Sequence, residues 1–180
     1  CYTKSCVMVI IGVRSLNELL CRVKQGATMK YESFRGGCLC GRTQYELVSE
    51  PTTLYACHCT DCQTASGSIC TLIMRLPSDG LKIVAGNPEP FERARIDGRK
   101  KLIFRCPACL TALWGSHVTR SEYVSLYAGT LDKSSMLSPI GHIWTNSAQP
   151  WVSIPKVTLN YGSQPSDMKL FDEAWRKQNA

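Results

Sequence analysis

The sequence predicts an all-β domain with metal-binding cysteines, and three observations lead there. Short runs rich in aliphatic, β-branched and aromatic residues recur across residues 34–151, separated by Gly, Asp, Ser and Pro turns. Asp97-Gly98 sits between two such runs, a hairpin signal because both residues tolerate positive φ. Cysteines gather in tight motifs, Cys38-x-Cys40, Cys57-x-Cys59-x-x-Cys62 and Cys106-x-x-Cys109. A series of short strands at this spacing argues against βαβ units.

Taken in order, residues 43–48 alternate after the Gly36-Gly37 and Gly41 breaks. Residues 69–76 form a mostly apolar run suited to a buried strand, and Ser78-Asp79-Gly80 is a turn before the strand at 81–85. Residues 91–96 and 99–105 flank Asp97-Gly98, and 112–118 and 122–127 complete the series. Ser166 is the expected N-cap of a short C-terminal helix, with Asp167 in its first turn and Met168, Phe171, Ala174 and Trp175 on one face. Residues 1–28 read as an extension outside the core, with Met29 as a candidate start. The alternative is an N-terminal helix, since Leu16, Leu19, Leu20 and Val23 have helical spacing. The expected organisation is therefore 1–28 as extension, 29–160 as zinc-binding β domain and 161–180 as helical tail.

Composition narrows the function classes. With 180 residues, 44% apolar and 19% charged, the chain can bury a sizeable core as one domain. No apolar run approaches the roughly 18 residues of a membrane span; the best candidate, residues 6–13, ends at Arg14. The net charge of +7 is a weak nucleic-acid signal. Residues 1–28 contribute +3 through Lys4, Arg14, Arg22 and Lys24 against Glu18, leaving +4 for the rest. Seven cysteine thiolates on two zinc ions would reduce that to about +1. The eleven cysteines are an odd number, spaced too tightly for pairing within each cluster, which favours metal binding in a reducing compartment such as the cytoplasm.

The run from Cys57 to Cys62 places three thiols around one ion with little loop-closure cost. Zinc suits such thiolates and prefers four ligands. A distant fourth residue would make the site structural, and a water or substrate would make it reactive. The natural partition is four plus three, with Cys38, Cys40, Cys106 and Cys109 closing one tetrahedral site and Cys57, Cys59 and Cys62 keeping a position open. Mixing the clusters would also give four plus three.

The motifs GGCLCG, ACHCTDCQTASG, FRCPACLTALWG and HIWTNSAQPW, in that order over residues 33–155, closely resemble the glutathione-dependent formaldehyde-activating family, which shares its domain with centromere protein V. The resemblance implies a β-tent of stacked antiparallel sheets. It implies a structural zinc on Cys38, Cys40, Cys106 and Cys109, and a reactive zinc on Cys57, Cys59 and Cys62. The implied activity is of the carbon–sulfur lyase type, joining glutathione and formaldehyde as S-hydroxymethylglutathione. Three thiolates on Zn²⁺ make a formally −1 site, which disfavours a fourth thiolate and makes the second ion labile. Two departures stand out: Leu110 follows Cys109 where the family usually has glycine, and His58 lies inside the triplet where the archetypal enzymes have small residues. The expected cofactor is zinc, two ions, with glutathione as co-substrate. A small-molecule thiol or electrophile is the expected partner, without nucleic acid or membrane, and a homodimer stays open. The alternatives are a zinc-stabilised scaffold and a hydrolase or isomerase of another electrophile.

Other residues have weaker signals. His58 beside the ligands is expected to point away from them, with proton shuttling as the alternative. His117 and His142 read as core or surface histidines rather than ligands, Cys70 as core, and Trp114, Trp144 and Trp151 as aromatic core with pocket lining as the alternative. Gln63, Thr64, Ser66 and Gly67 follow the triplet closely enough to touch a ligand. Arg42, Arg75 and Arg105 read as solvated charges, with carboxylate anchoring as the alternative.

Overall fold

The computed structural model describes residues 34–94, 98–117, 120–156 and 158–180, so the expected N-terminal extension lies outside the described residues. Among these residues two β-sheets form. The smaller joins β1 (Arg35–Gly37), β2 (Gln44–Leu47) and β5 (Leu81–Ala85) in the order β1-β2-β5. The larger adds β3 (Thr53–Cys57), β4 (Thr71–Pro77), β6 (Glu89–Ala94), β7 (Lys100–Arg105), β8 (Ala112–His117), β9 (Arg120–Tyr127), β10 (Gly141–Ile143) and β11 (Leu159–Tyr161), in the order β11-β10-β3-β4-β9-β8-β7-β6. Helix α1 (Thr60–Ser66) follows β3, and α2 (Lys169–Asn179) ends the chain. The expected all-β class holds. Pairing is antiparallel except at one end of the larger sheet, where β10 runs parallel to both β3 and β11.

Strand register explains how the larger sheet serves two environments. Side chains alternate between faces along each strand, and paired residues on neighbouring strands share a face. One row runs Leu54, Met74, Leu126, Trp114, Phe104 across β3, β4, β9, β8 and β7. Leu54, Met74 and Leu126 are fully buried, and Trp114 stacks on Phe104 at 5.1 Å while meeting Tyr45 of the smaller sheet edge-on at 6.3 Å. This face is the core between the sheets. The opposite face has the row Thr53, Arg75, Ser125, Gly115, Ile103, Phe91. A cation and a hydroxyl on a sheet face are not core material. That face borders a cleft.

Helix α2 covers part of this second face. Phe171 and Trp175 are buried, each worth roughly 1.5–3 kcal/mol of apolar transfer. Phe171 meets Tyr55 at 5.9 Å and Tyr161 at 5.7 Å, and Arg75 pairs with Asp172. The cap differs from the expected one: Met168 occupies the N-cap position, and the Asp167 carboxylate accepts the Lys169 amide at 2.9 Å. A longer carboxylate reaches the free amide that Ser166 was expected to hold. The hairpin β6–β7 forms as expected, but its last described pair is Ala94 with Lys100, and Gly98 turns with φ +78°.

Leu110 is one of two described non-glycine residues in the left-handed region, at φ 60°. Its side chain is 60% exposed, so no packing compensates the strain. A side chain there costs about 1–2 kcal/mol. Leu110→Gly is therefore expected to stabilise the protein by roughly 1 kcal/mol net of backbone entropy. Thermal melts of both variants with equal metal content check this; a lower midpoint for glycine would count against it.

Candidate metal centre and adjoining cleft

The four-cysteine cluster sits where two turns from different sheets meet. Cys38 and Cys40 lie between β1 and β2, Cys106 and Cys109 between β7 and β8. Their four sulfurs fall within 4.8 Å of one another, with Cys38–Cys40 at 3.5 Å and Cys40–Cys106 at 3.8 Å. Sulfurs about 2.3 Å from one zinc ion in a tetrahedron are about 3.8 Å apart, so this donor set fits zinc. Both turns are pre-shaped by backbone hydrogen bonds: Cys38 N–H donates to Thr43 O at 2.9 Å, and Leu110 N–H to Cys106 O at 2.9 Å. The Thr43 amide donates to Cys38 Sγ at 3.2 Å, and the Leu39 amide crosses to the Thr111 hydroxyl at 3.2 Å. The thiol hydrogen-bonding shell also sorts the protons. The Thr111 hydroxyl and amide bring Cys109 down to about 5. At Cys40 the Arg42 backbone pulls down, but the Cys109 thiol and its neighbours outweigh it and push the group up to about 11. Four crowded thiols cannot all ionise against one another, and a dication removes that conflict.

The three-cysteine cluster is built on the cleft side. Cys57 ends β3 on the cleft face, Cys59 precedes α1 and Cys62 lies in its first turn. Their sulfurs also lie within 4.8 Å, with Cys57–Cys59 at 3.5 Å. The Cys59 and Cys62 thiols, then burial, push Cys57 far above the usual thiol range. The chemistry of this set likewise suits a soft cation. Gln63 locks the loop: its Nε2 donates to His58 O at 2.6 Å and to Ser147 O at 2.8 Å, while Gln149 Nε2 donates to its Oε1 at 2.8 Å.

All three thiols line a cleft of about 710 Å³. Its walls include Tyr55, Trp144 and the segment from Gln164 to Lys169 that leads into α2. Arg75, Arg93, Arg99, Lys101 and Lys169 face Asp61, Asp167 and Asp172, so cations outnumber carboxylates. Arg75 is paired with Asp172, and Lys169 lies 3.5 Å from Asp167. Arg93, Arg99 and Lys101 lie on β6, β7 and the turn between them.

A sequence profile described as "Glutathione-dependent formaldehyde-activating enzyme" matches residues 33–147, more than half of the chain. The chain belongs to this family. The matched span contains all seven clustered cysteines. A search of curated proteins gives no match. Among solved structures, the chain is similar to a crystal structure of a Rhodobacter sphaeroides protein at 13% identity and TM-score 0.42, covering 71% of this chain and 98% of that one. That likeness is too distant to bear on function.

Other predicted residues of this family member meet different fates. His58 turns to the face opposite the cleft, where its Nε2 lies 3.0 Å from His142 Nδ1 and the rings stack at 5.3 Å. Burial lowers the pKa of both histidines, and His58 adds repulsion at His142. Strand alternation beyond Cys57 sends the next residue to the far side, as expected of His58. His117 instead lines the cleft. Trp114 is core, Trp144 is cleft wall and Trp151 is 72% exposed. Thr64, Ser66 and Gly67 are exposed and absent from the cleft lining, so of these four neighbours Gln63 acts through the loop and none touches the cleft. Cys70 is half-buried. Arg42 is exposed, and Arg105 lies over the Phe91 ring at 4.6 Å. Arg75 is in the cleft rather than solvated. Arg93, Arg99, Lys101 and the segment before α2 escaped sequence reasoning. The one available signal was Lys101 on the inward phase of β7 with Ile103.

Proposed function

We propose that the protein is a zinc-dependent enzyme of the carbon–sulfur lyase type, acting on glutathione or a glutathione adduct. The observation that carries this reading is the contrast between the clusters: four cysteines stitch two sheets together, whereas three open into a cation-rich cleft. Cys38, Cys40, Cys106 and Cys109 would hold a structural ion, and Cys57, Cys59 and Cys62 a second one. Zinc held by the triplet supplies a Lewis acid that lowers the pKa of a bound thiol. The chain does the rest. Arg93 and Arg99 suit the carboxylates of glutathione, Asp61 and Asp167 its ammonium group, and Tyr55 and Trp144 shield the thiol end from water. The glutathione thiol gives up its proton to solvent, its sulfur forms a bond to the formaldehyde carbon, the carbonyl π electrons move to oxygen, and that oxygen takes a proton back from solvent, so the protons balance. The product is S-hydroxymethylglutathione; the lyase direction is the reverse. Thiol clusters of this kind fit a reducing compartment, for which we propose the cytoplasm.

Metal analysis of the full chain with isothermal titration of glutathione tests the proposal. The expected result is two zinc ions per chain, one removed first by chelator, and saturable glutathione binding that needs the labile ion. If glutathione neither binds nor alters the labile ion's loss, the assignment fails.

A further inference from the structure

We infer that Lys101 is a built-in countercharge for an incoming thiolate at the three-cysteine cluster, so that its ammonium, rather than the substrate's, balances the added negative sulfur. The inference rests on the proposed thiol-binding role of that cluster and goes beyond it.

Lysine is rarely buried, because desolvating its ammonium is costly. Lys101 is only 6% exposed, although it stands beside the exposed Lys100 in the same strand. Strand alternation turns it onto the cleft face, with Arg93 and His117 as its register partners. The neighbouring strand makes room for it. A Cβ at Gly115 would come within 2.4 Å of Lys101 Cε and 3.2 Å of Nζ, and 2.9 Å of Ile103 Cδ1. The end of the lysine side chain thus lies across the bare backbone of β8. That path leads away from the hairpin edge and toward the middle of the sheet, where Nζ reaches 5.8 Å from the centroid of the Tyr127 ring. Tyr127 pairs with Ile73 of β4, and β4 pairs with β3, which carries Cys57. Lys101 and all three cysteines line the same cleft.

The charge balance gives this placement a purpose. Three thiolates already overcompensate a divalent ion, and a fourth sulfur arriving as thiolate adds another negative charge. In a partly buried site that addition is opposed far more strongly than in water. A fixed ammonium lining the same cleft favours the thiolate at whichever position the triplet leaves open. A surface cation could not do this, because solvent would screen it. Lys101 is then a positioning residue acting through the electrostatics of the site, and Gly115 sets where its charge sits.

The test uses the full chain loaded with cobalt(II), whose thiolate charge-transfer absorption reports sulfur at the metal. Two thiols are titrated: glutathione, and 2-mercaptoethanol, which has no carboxylate. For Lys101→Met, both thiols are expected to bind at least about tenfold more weakly, a change equal to about 1.4 kcal/mol. Lys101→Arg should keep both affinities within about threefold, since the charge is retained. Gly115→Ala, which crowds the ammonium out of its groove, should weaken both thiols in the same direction; it also serves if the methionine variant does not fold. Unchanged affinity for both thiols in folded Lys101→Met overturns the inference. So does weakening confined to glutathione, which would make Lys101 a carboxylate anchor. In either case the thiol site itself stands. If neither thiol changes the wild-type cobalt spectrum, the thiol-binding reading falls, and this inference with it.

Discussion

Replacing Cys106 by alanine is expected to unfold the protein rather than merely silence it. Cys106 is fully buried at the end of β7, 3.8 Å from Cys40 in the turn of the smaller sheet. These two turns belong to different sheets, so a metal ion held there would act as a covalent-like tie between them. Structural zinc in small domains is worth about 10–16 kcal/mol of apparent free energy at neutral pH. Typical whole-domain stability is only about 5–15 kcal/mol. Losing one buried thiolate also strands the Cys38, Cys40 and Cys109 thiols as a repelling group. Circular dichroism melts should show loss of the cooperative transition, or a midpoint lowered by more than about 15 °C if a partial site survives. A wild-type melt with one ion missing would overturn the assignment of this cluster to the fold.

Cys59→Ser is expected to do the opposite: keep the fold and abolish thiol binding. Cys59 is buried, but it borders the cleft, and α1 beside it contributes no buried residue to the core. The loop is held independently by Gln63, through the His58 and Ser147 carbonyls. Serine is a poor ligand for a soft ion, so one zinc per chain should be lost while the other remains. Even residues behind a metal ligand cost roughly 10–100-fold in affinity or activity when changed, so removing a ligand should exceed that range. Metal content, a thermal melt and adduct formation from glutathione and formaldehyde, followed by NMR of the hydroxymethyl protons, give the three readouts. A folded variant with both ions and wild-type turnover would sink the role of the triplet.

Much of the strand series was legible because it is local. The strand at 81–85 appears at the expected residues, and 69–76, 99–105 and 112–118 are each within two residues of observed strand ends. The strands that went unread were β1, β3, β10 and β11. Three of these have three residues each, too short for alternation to show. The fourth, β3, merges into the cysteine motif that ends it. The parallel pairing of β10 with β3 links segments more than eighty residues apart, a matter no local pattern records.

The sequence by itself determined the two sulfur clusters, since Cys-x-Cys and Cys-x-x-Cys spacings bring thiols together whatever surrounds them. It also determined the all-β class, through runs too short and too frequently broken for long helices. Only the tertiary structure decided what each cluster faces. Register across six strands turned one sheet face into core and the other into the floor of a cleft. The same alternation sent His58 away from the thiols and brought Lys101 inward, although both are polar residues in ordinary local settings. Folding also carried the segment before α2, over a hundred residues from the triplet, into the cleft wall. The reason is physical: a thiol's nearest partners are set by bond geometry within a few residues, whereas the charge, water and space around it are set by whichever distant strands pack alongside.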